Sequence, residues 1–336
     1  MRSEPGLRGP VFLSGRTGRF VVSWRVWFCH LLMSSGTSLM WFKNAMAYLA
    51  LGLIHLFSFL PLPVARGIGA GLGWLIWRLN VRKTRISRKN IAICFPEWSE
   101  ADREALTRQS LIDFGKTCAE MGMIWCGSRK RVDRLIQRVD GLEHLQAAKA
   151  QGKGIILLAP HLGNWEILNH FIAWHLQATA MYKPAKIPAL DRFIYKTRKR
   201  VDVGLVPADR DGVNALFRLL DEGETVAVLP DQQPSRRSGV FAPFFGHTAL
   251  TGKLTGELAR HGSASLLMCY AWRLEDGRYG VCIKPGPEAM RDPSPERSAA
   301  TLNQAIEDCV RACPVHYQWG YKRFKYQPDD QELLYR

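Results

Sequence analysis

From Gly154 onward, short apolar segments alternate with segments of helical spacing, and this alternation constrains the fold more than any other feature of the sequence. Four segments are rich in β-branched or aromatic residues, and most end in Pro or turn residues: GIILLAP, TVAVLP, SLLMCYAW and YGVCIKP. Segments such as GVNALFRLLDEGE and LTGKLTGELARHG, with apolar residues three or four apart, separate them. Strands alternating with helices indicate an α/β fold, a central mixed, largely parallel sheet flanked by helices.

An uncharged run of twenty-two residues, Asn44 to Ala65, precedes this region. The part before Pro61 would form a helix about 25 Å long, whereas the hydrocarbon core of a bilayer is about 30 Å thick. We therefore expect an N-terminal membrane anchor helix over 44–65, which either spans the bilayer or lies in its interface; a buried core helix is the alternative. Residues 1–43 are basic and are expected to form a poorly ordered extension.

The net charge of the chain is +16, from 46 Lys+Arg and 30 Asp+Glu, and this indicates an anionic partner. Five basic residues within VRKTRISRKN directly follow the apolar stretch, which favours the anionic headgroups of a membrane surface. A nucleic-acid-binding protein is the rival interpretation, but no RNP, helix-turn-helix or zinc signature occurs, and no nucleic acid is expected as a partner. The eight cysteines form no CxxC pair, and no metal is expected.

The candidate chemistry lies where the first apolar strand ends, in the segment APHLGNWE. His161 and Glu166 are five positions apart, so on one regular helix their side chains would point about 140° away from each other. They can meet only if His161 lies on a turn and Glu166 in the first turns of the following helix. Gly163 and Asn164 are typical of such a turn and of a helix cap. Glu166 would then orient the imidazole of His161, whose other nitrogen would accept a proton from a hydroxyl.

The sequence offers this base no nucleophile of its own, because GxSxG, HExxH and P-loop motifs are all missing. We therefore expect the substrate to supply the attacking hydroxyl, in direct transfer within a ternary complex. The backbone N–H groups of Gly163 and Asn164, at the start of the helix, are the candidate oxyanion donors.

The segment HLGNWE resembles the H-x4-D/E motif of glycerolipid-type acyltransferases. More narrowly, it is similar to the form of that motif in the late acyltransferases of lipid A biosynthesis, the lauroyl/myristoyl transferase family, where Glu stands in place of the usual Asp. The resemblance extends from about Ala47 to Lys325. It includes the blocks FPEW at 95–98, FGKT at 114–117, YKP at 182–184, the stretch around Arg198 and Arg200, PDQQ at 230–233, FAPFFG at 241–246, YQW at 317–319 and KRFK at 322–325.

This resemblance implies a membrane-anchored enzyme on the cytoplasmic side of the bacterial inner membrane, with residues 66–336 as its acyltransferase domain. It would transfer a fatty acyl chain from acyl carrier protein, or less often acyl-CoA, to a hydroxyl of an anionic lipid A precursor in lipopolysaccharide biosynthesis. His161 would be the general base and Glu166 its partner. No cofactor is implied, since the acyl-acyl carrier protein is a co-substrate.

Further site residues are expected after the motif. Arg198, Arg200 and Arg210 are expected to bind lipid A phosphates. Asp231, at the end of a buried strand, is expected to contribute to substrate binding or to the hydrogen-bond network of the site. The alternative enzymatic function is that of a lysophospholipid acyltransferase with a glycerol-phosphate acceptor, and a metal-dependent hydrolase is disfavoured because ligand spacing is lacking.

Overall fold

The structure of this protein, a computed structural model, describes residues 35–185, 187–328 and 334–335. Residues 35–46 form the first part of a helix, and Ala47–Arg336 form a unit of their own. Of the extension predicted over 1–43, residues 1–34 lie outside the described residues and the remainder is helical.

Five helices precede the first strand in the described part of the chain. They are α1 (Ser35–Phe59), α2 (Leu62–Arg78), α3 (Arg82–Cys94), α4 (Glu100–Cys126) and α5 (Arg129–Asp133). The uncharged run 44–65 is therefore not one helix, because α1 ends at Phe59 and α2 starts after Pro61. Proline lacks a backbone N–H and has a fixed φ, so it suits the start of a helix and not its interior.

Among the described residues, no helix combines the length and the apolar character that crossing a bilayer requires.

Helices α2 and α4 pack backbone to backbone through glycines. Gly69 and Gly73 face Gly115 and the backbone of Leu111 so closely that a Cβ on either α2 glycine would overlap an α4 carbonyl oxygen. The glycines of RGIGAGLG thus allow a close helix–helix approach, as in other packings between small residues. Among the described residues no strand precedes these glycines, as a dinucleotide-binding loop would require.

In chain order the remaining strands and helices are β1 (Ile136–Asp140), α6 (Leu142–Gln151), β2 (Ile155–Leu158), α7 (Trp165–His175), β3 (Ala178–Tyr182), α8 (Pro188–Lys199), β4 (Gly204–Pro207), α9 (Arg210–Asp221), β5 (Thr225–Val228), β6 (Gly239–Phe244), β7 (His247–Gly252), α10 (Leu254–Arg260), β8 (Ser265–Arg273), β9 (Tyr279–Pro285) and α11 (Pro295–Ala312). From β1 to β5, strands and helices alternate as the sequence predicts, whereas β5 to β7 and β8 to β9 follow one another without an α-helix between them.

Seven of these strands form the central sheet, in the order β1-β9-β8-β2-β5-β3-β4. Only the β8–β9 pair is antiparallel, whereas the other neighbours are parallel. Strands β6 and β7 form a separate antiparallel hairpin. The predicted α/β fold with a mostly parallel sheet flanked by helices is confirmed.

The side chains of β2 alternate between two apolar cores, one on each face of the sheet. Ile156 and Leu158 pack with residues of α9, α10 and α11. Ile155 and Leu157 pack on the other face, with residues of α4, α6 and α7. Because β2 is buried on both faces, the loop that follows it is held by a rigid support.

The α2–α4 contact gives a test within one helix. Gly69→Ala should lower the free energy of unfolding by about 1–3 kcal/mol, since the added methyl group has no space beside Gly115. The matched control is Gly71→Ala, where a Cβ meets nothing within 4 Å and helix propensity alone predicts a gain of about 0.5–1 kcal/mol. Urea unfolding of both variants measures this difference. Equal effects would exclude a tight α2–α4 contact.

Candidate active site

His161 and Asp231 meet at the carboxyl edge of the sheet, where β2 and β5 end side by side. The register pairs Leu158 with Val228, and each polar residue lies three positions further along its strand. One carboxylate oxygen of Asp231 lies 2.7 Å from His161 Nδ1, and the other accepts the His161 backbone N–H at 3.0 Å. The imidazole is therefore held in one orientation by a carboxylate from the neighbouring strand.

The pKa of Asp231 lies below its usual value. Burial alone would raise this pKa, but the adjacent His161 ring and its two hydrogen bonds outweigh the burial. A carboxylate that stays ionised beside Nδ1 favours the tautomer with the proton on Nδ1 and leaves Nε2 as the acceptor. In keeping with this, the amide nitrogen of the exposed Gln232 side chain lies 3.1 Å from Nε2.

The predicted contact between Glu166 and His161 is wrong. Glu166 lies in the first turn of α7 as expected, but its carboxylate accepts from Arg198 Nη2 at 2.5 Å and from Asn169 Nδ2 at 3.2 Å. Burial opposes the charge of Glu166, yet Arg198 keeps its pKa below the usual value. Spacing within one segment identified the carboxylate nearest in sequence, whereas strand pairing brings a more distant one, Asp231, to the imidazole.

A repeated sequence pattern could have revealed Asp231 as the partner. The two strands end in Ala159-Pro160-His161 and Leu229-Pro230-Asp231, so each apolar run is followed by Pro and then a polar residue. Residues at the carboxyl ends of neighbouring parallel strands lie together, which is where α/β proteins bind ligands. The missing information is the strand order, which the sequence does not display.

The turn between β2 and α7 is held by backbone hydrogen bonds to two other parts of the chain. Gly163 has φ +64° and donates its N–H to the His316 carbonyl at 2.8 Å, while Asn164 donates to the Ala271 carbonyl in β8 at 3.0 Å. A Cβ at Gly163 would overlap the Ala271 oxygen, so only glycine fits this position. Both N–H groups are occupied, and the prediction that they bind an oxyanion is therefore not supported by their geometry.

Asn164 is the helix cap that the sequence predicts. Its Oδ1 accepts from the backbone N–H groups of Glu166 and Ile167, and its Nδ2 donates to the Tyr279 hydroxyl at 3.1 Å. The buried carboxylate of Glu120 accepts from the same hydroxyl. The start of α7 is thus tied to the interior of the fold.

Glu120 is fully buried in α4 and joins three parts of the chain. It accepts from Arg66 Nε of α2 at 2.5 Å and from Arg273 at the end of β8. Arg273 also contacts Asp113 at 2.9 Å, and Asp113 lies 3.1 Å from Nδ1 of His316, the residue whose carbonyl holds the turn. Sequence reasoning missed this network because its members are spread from residue 66 to residue 316.

Of the three arginines predicted to bind substrate, only Arg198 lines the cavity beside His161. Its Nε finds no hydrogen-bond partner among the described residues. Arg200 instead donates to the carbonyls of Trp125 and Gly127, where α4 ends. Arg210 is exposed at the first position of α9.

The cavity beside His161 measures about 330 Å³, which is within the usual range for a small-molecule site. One wall is α7, with Trp165, Leu168 and Ile172, and the other consists of residues from β3, β4 and β5. The ring of Trp165 packs edge-on against the imidazole of His161 with the centroids 5.3 Å apart. The imidazole of His161 therefore borders a cavity with both apolar and polar lining residues.

Comparison with known proteins gives consistent matches over most of the chain. The model of the bacterial lipid A biosynthesis acyltransferase family matches residues 33–326. The lipid A biosynthesis lauroyltransferase of Escherichia coli K12 is 30% identical over 295 residues, covering 87% of this chain and 95% of that protein. A lipid A biosynthesis acyltransferase of Haemophilus influenzae is 32% identical over 278 residues, 81% of this chain and 87% of that protein. The palmitoleoyltransferase of E. coli K12 is 28% identical over 293 residues, 86% and 94% of the two chains.

The network that links Glu120, Arg273, Asp113 and His316 contains a carboxylate whose contribution to stability should depend on pH. The contacts with His316 and Arg273 outweigh burial and lower the pKa of Asp113 to about 2, from 3.8. A carboxyl group whose pKa is lowered by folding stabilises the folded state at any pH above its pKa in the unfolded chain. This stabilisation is lost as the pH falls from about 4 to about 2. Asp113→Asn should therefore cost about 2 kcal/mol at pH 7 and almost nothing at pH 2.

Unfolding free energies of wild type and variant across this range provide the measurement. The control is Asp308→Asn at an exposed site of α11, where a small, pH-independent effect is expected. A cost for Asp113→Asn that does not change with pH would show that its charge is not the stabilising feature.

Proposed function

Because this chain belongs to the bacterial lipid A biosynthesis acyltransferase family, as the motif HLGNWE indicates, we propose that it transfers a fatty acyl chain from acyl carrier protein to a hydroxyl of a lipid A precursor. One observation carries the mechanism. The imidazole of His161, oriented by the buried Asp231, borders a cavity that apolar side chains of α7 and of the sheet line. Acyl transfer between a thioester and a lipid needs a base and an apolar site at the same place.

In the proposed reaction, His161 Nε2 accepts the proton of the acceptor hydroxyl as its oxygen attacks the thioester carbonyl carbon. The tetrahedral intermediate then collapses, the C–S bond breaks, and the imidazolium returns the proton to the departing thiolate. Asp231 stabilises the imidazolium without taking the proton. The Gln232 amide, which now contacts Nε2, would give way to the hydroxyl. Thioesters are already activated, so base catalysis and positioning supply much of the acceleration.

Arg198 is our candidate donor to the oxyanion, in place of the occupied N–H groups of the turn. It lines the cavity and keeps a buried Nε–H without a partner among the described residues. Glu166 holds it there through the 2.5 Å ion pair. We therefore assign Glu166 to the positioning of Arg198, and Asp231 to the positioning of His161.

The exposed apolar surface of residues 48–81 supports binding to a membrane surface. Of the fourteen large hydrophobic residues exposed in the described chain, twelve lie in this stretch, among them Phe59 and Leu72. Exposed basic side chains, including Arg82 and Arg85, follow directly and suit anionic headgroups. We propose that this surface lies in the interface of the bacterial inner membrane. The carrier protein would then approach from the cytoplasmic side.

Double-mutant cycles test the two assignments. His161→Ala and Asp231→Asn should each lower kcat by about 10²–10⁴, and their combination should be no worse than His161→Ala alone, because the pair acts as one unit. Glu166→Gln and Arg198→Met should couple to each other in the same way, and Glu166 should couple only weakly to His161. Thermal unfolding of each variant separates lost chemistry from lost folding.

An acyl-transfer assay identifies which lipid is the acceptor. Purified enzyme in mixed micelles receives one acyl-acyl carrier protein and either a lipid A precursor or a lysophospholipid with a glycerol phosphate. We expect product only from the lipid A precursor. Transfer to the lysophospholipid alone, or near-normal turnover of His161→Ala, would contradict the proposal.

Membrane binding is tested by flotation with vesicles. Replacing both Phe59 and Leu72 by Asp should weaken binding at least tenfold, because two large apolar side chains lose their burial in lipid. Arg82→Gln with Arg85→Gln should weaken binding to anionic vesicles only, about fivefold for each charge. The control is Trp174→Asp, an exposed aromatic residue on α7 outside the surface. Equal losses for the control and the Phe59/Leu72 variant would contradict this orientation.

A further inference from the structure

The side chain of Gln232 covers the nitrogen of His161 that accepts the proton in the proposed reaction. Its amide nitrogen lies 3.1 Å from His161 Nε2 and 3.2 Å from the amide oxygen of Gln318. An amide nitrogen carries two hydrogens and can only donate, so each of the two acceptors receives one N–H. The Gln318 oxygen thereby fixes which end of the Gln232 amide points at the imidazole. In this state the base is already hydrogen-bonded.

The backbone on both sides of this contact is anchored. The carboxylate that precedes Gln232 in the chain accepts the backbone N–H of His161, and Gln233, which follows it, donates its N–H to the Tyr321 hydroxyl at 2.9 Å. Gln318 donates its own backbone N–H to the His161 carbonyl at 3.2 Å. The base and both glutamines are therefore fixed relative to one another, and only a side chain has to move to uncover Nε2.

The Gln232 side chain is free to make that movement. It is exposed and lines the cavity beside His161, whereas Gln318 is half-buried. Exposed side chains change rotamer within picoseconds to nanoseconds, so uncovering Nε2 does not limit turnover. Two hydrogen bonds of ordinary net strength favour the covered state by a factor of about 5 to 150. The exposure of Gln232 places it in the lower part of that range.

An uncovered Nε2 beside a bound thioester can also activate water. The imidazole then takes a proton from water while the water oxygen attacks the carbonyl carbon. The C–S bond breaks, and the imidazolium returns the proton to the thiolate, which leaves a fatty acid and the free thiol of the carrier. A lipid acceptor differs from water because it makes many contacts with the protein, and part of that binding energy can displace the amide.

We propose, on the basis of the function proposed above, that Gln232 caps His161 until the acceptor lipid displaces it, and that this cap suppresses hydrolysis of the donor thioester. Gln232 is then a specificity-determining residue, which discriminates a lipid hydroxyl from water. Gln318 is a positioning residue, because it acts through the Gln232 amide.

The variant Gln232→Met tests the cap, since it keeps a side chain of similar length and removes both N–H groups. Without acceptor, it should hydrolyse acyl-acyl carrier protein about tenfold faster than the wild type. The KM for the lipid A precursor should fall by a similar factor, because the acceptor no longer has to displace the amide, while kcat for transfer stays within about twofold. A damaged site would lower both reactions, so this combination separates a cap from a structural role.

Two further variants locate the effect. Gln318→Met removes one of the two hydrogen bonds and should raise hydrolysis about threefold. Adding it to Gln232→Met should change nothing more, because Gln318 acts only through Gln232. The matched control is Gln304→Met, an exposed glutamine of α11 whose amide donates to Asp308, which should leave hydrolysis and transfer unchanged.

A second measurement needs neither donor nor acceptor. Diethyl pyrocarbonate acylates an imidazole through a nitrogen with a free lone pair, which in His161 is Nε2. Mass spectrometry of the peptide that contains His161 gives the rate of this modification. The rate should rise about tenfold in Gln232→Met and stay at the wild-type value in Gln304→Met. If the wild type transfers no acyl chain, the proposed function fails while this rate still tests the cap.

Two results would overturn the inference. One is an unchanged rate of hydrolysis or of imidazole modification in Gln232→Met. The other is a loss of kcat for transfer in Gln232→Met at saturating acceptor, which would assign Gln232 to the transfer step itself.

Discussion

The candidate site depends on the parallel pairing of β2 with β5. Their register sets Leu158 beside Val228, and so carries His161 and Asp231 to within 2.7 Å of each other three residues later. If β2 and β5 were paired one residue out of register, the side chains of His161 and Asp231 would point to opposite faces of the sheet. Burial of β2 on both faces opposes such a slip. The same packing that stabilises the sheet therefore orients the imidazole.

A second constraint ties this edge of the sheet to the helices that carry the exposed apolar surface. Glu120 of α4 contacts Arg66 in α2, Arg273 in β8 and Tyr279 in β9. Tyr279 in turn holds Asn164, the cap of α7. Buried charges of this kind are costly unless they are fully paired, so the network fixes one arrangement of helices and sheet. The position of the turn is thereby coupled to α2, the helix that begins after Pro61.

Two carboxylates near the turn, Asp231 and Glu166, pair with different side chains. Asp231 contacts the imidazole, whereas Glu166 contacts Arg198, and each is kept ionised by its partner. The motif residues His161 and Glu166 therefore belong to two neighbouring pairs that border one cavity. Such an arrangement places an imidazole and a half-buried guanidinium beside the same cavity, as the proposed attack of a hydroxyl on a thioester carbonyl requires.

The sequence by itself determined the fold class, the strands β2, β5, β8 and β9, the turn at Gly163 and the cap at Asn164, because periodicity and turn chemistry are local properties. It did not reveal β3 and β4, which are less buried than β2 and β5, or the polar edge strand β1. Only the tertiary structure paired Asp231 with His161, turned Arg200 away from the site, and opened a cavity beside the imidazole. These outcomes depend on strand order and helix packing, which join residues far apart in the chain.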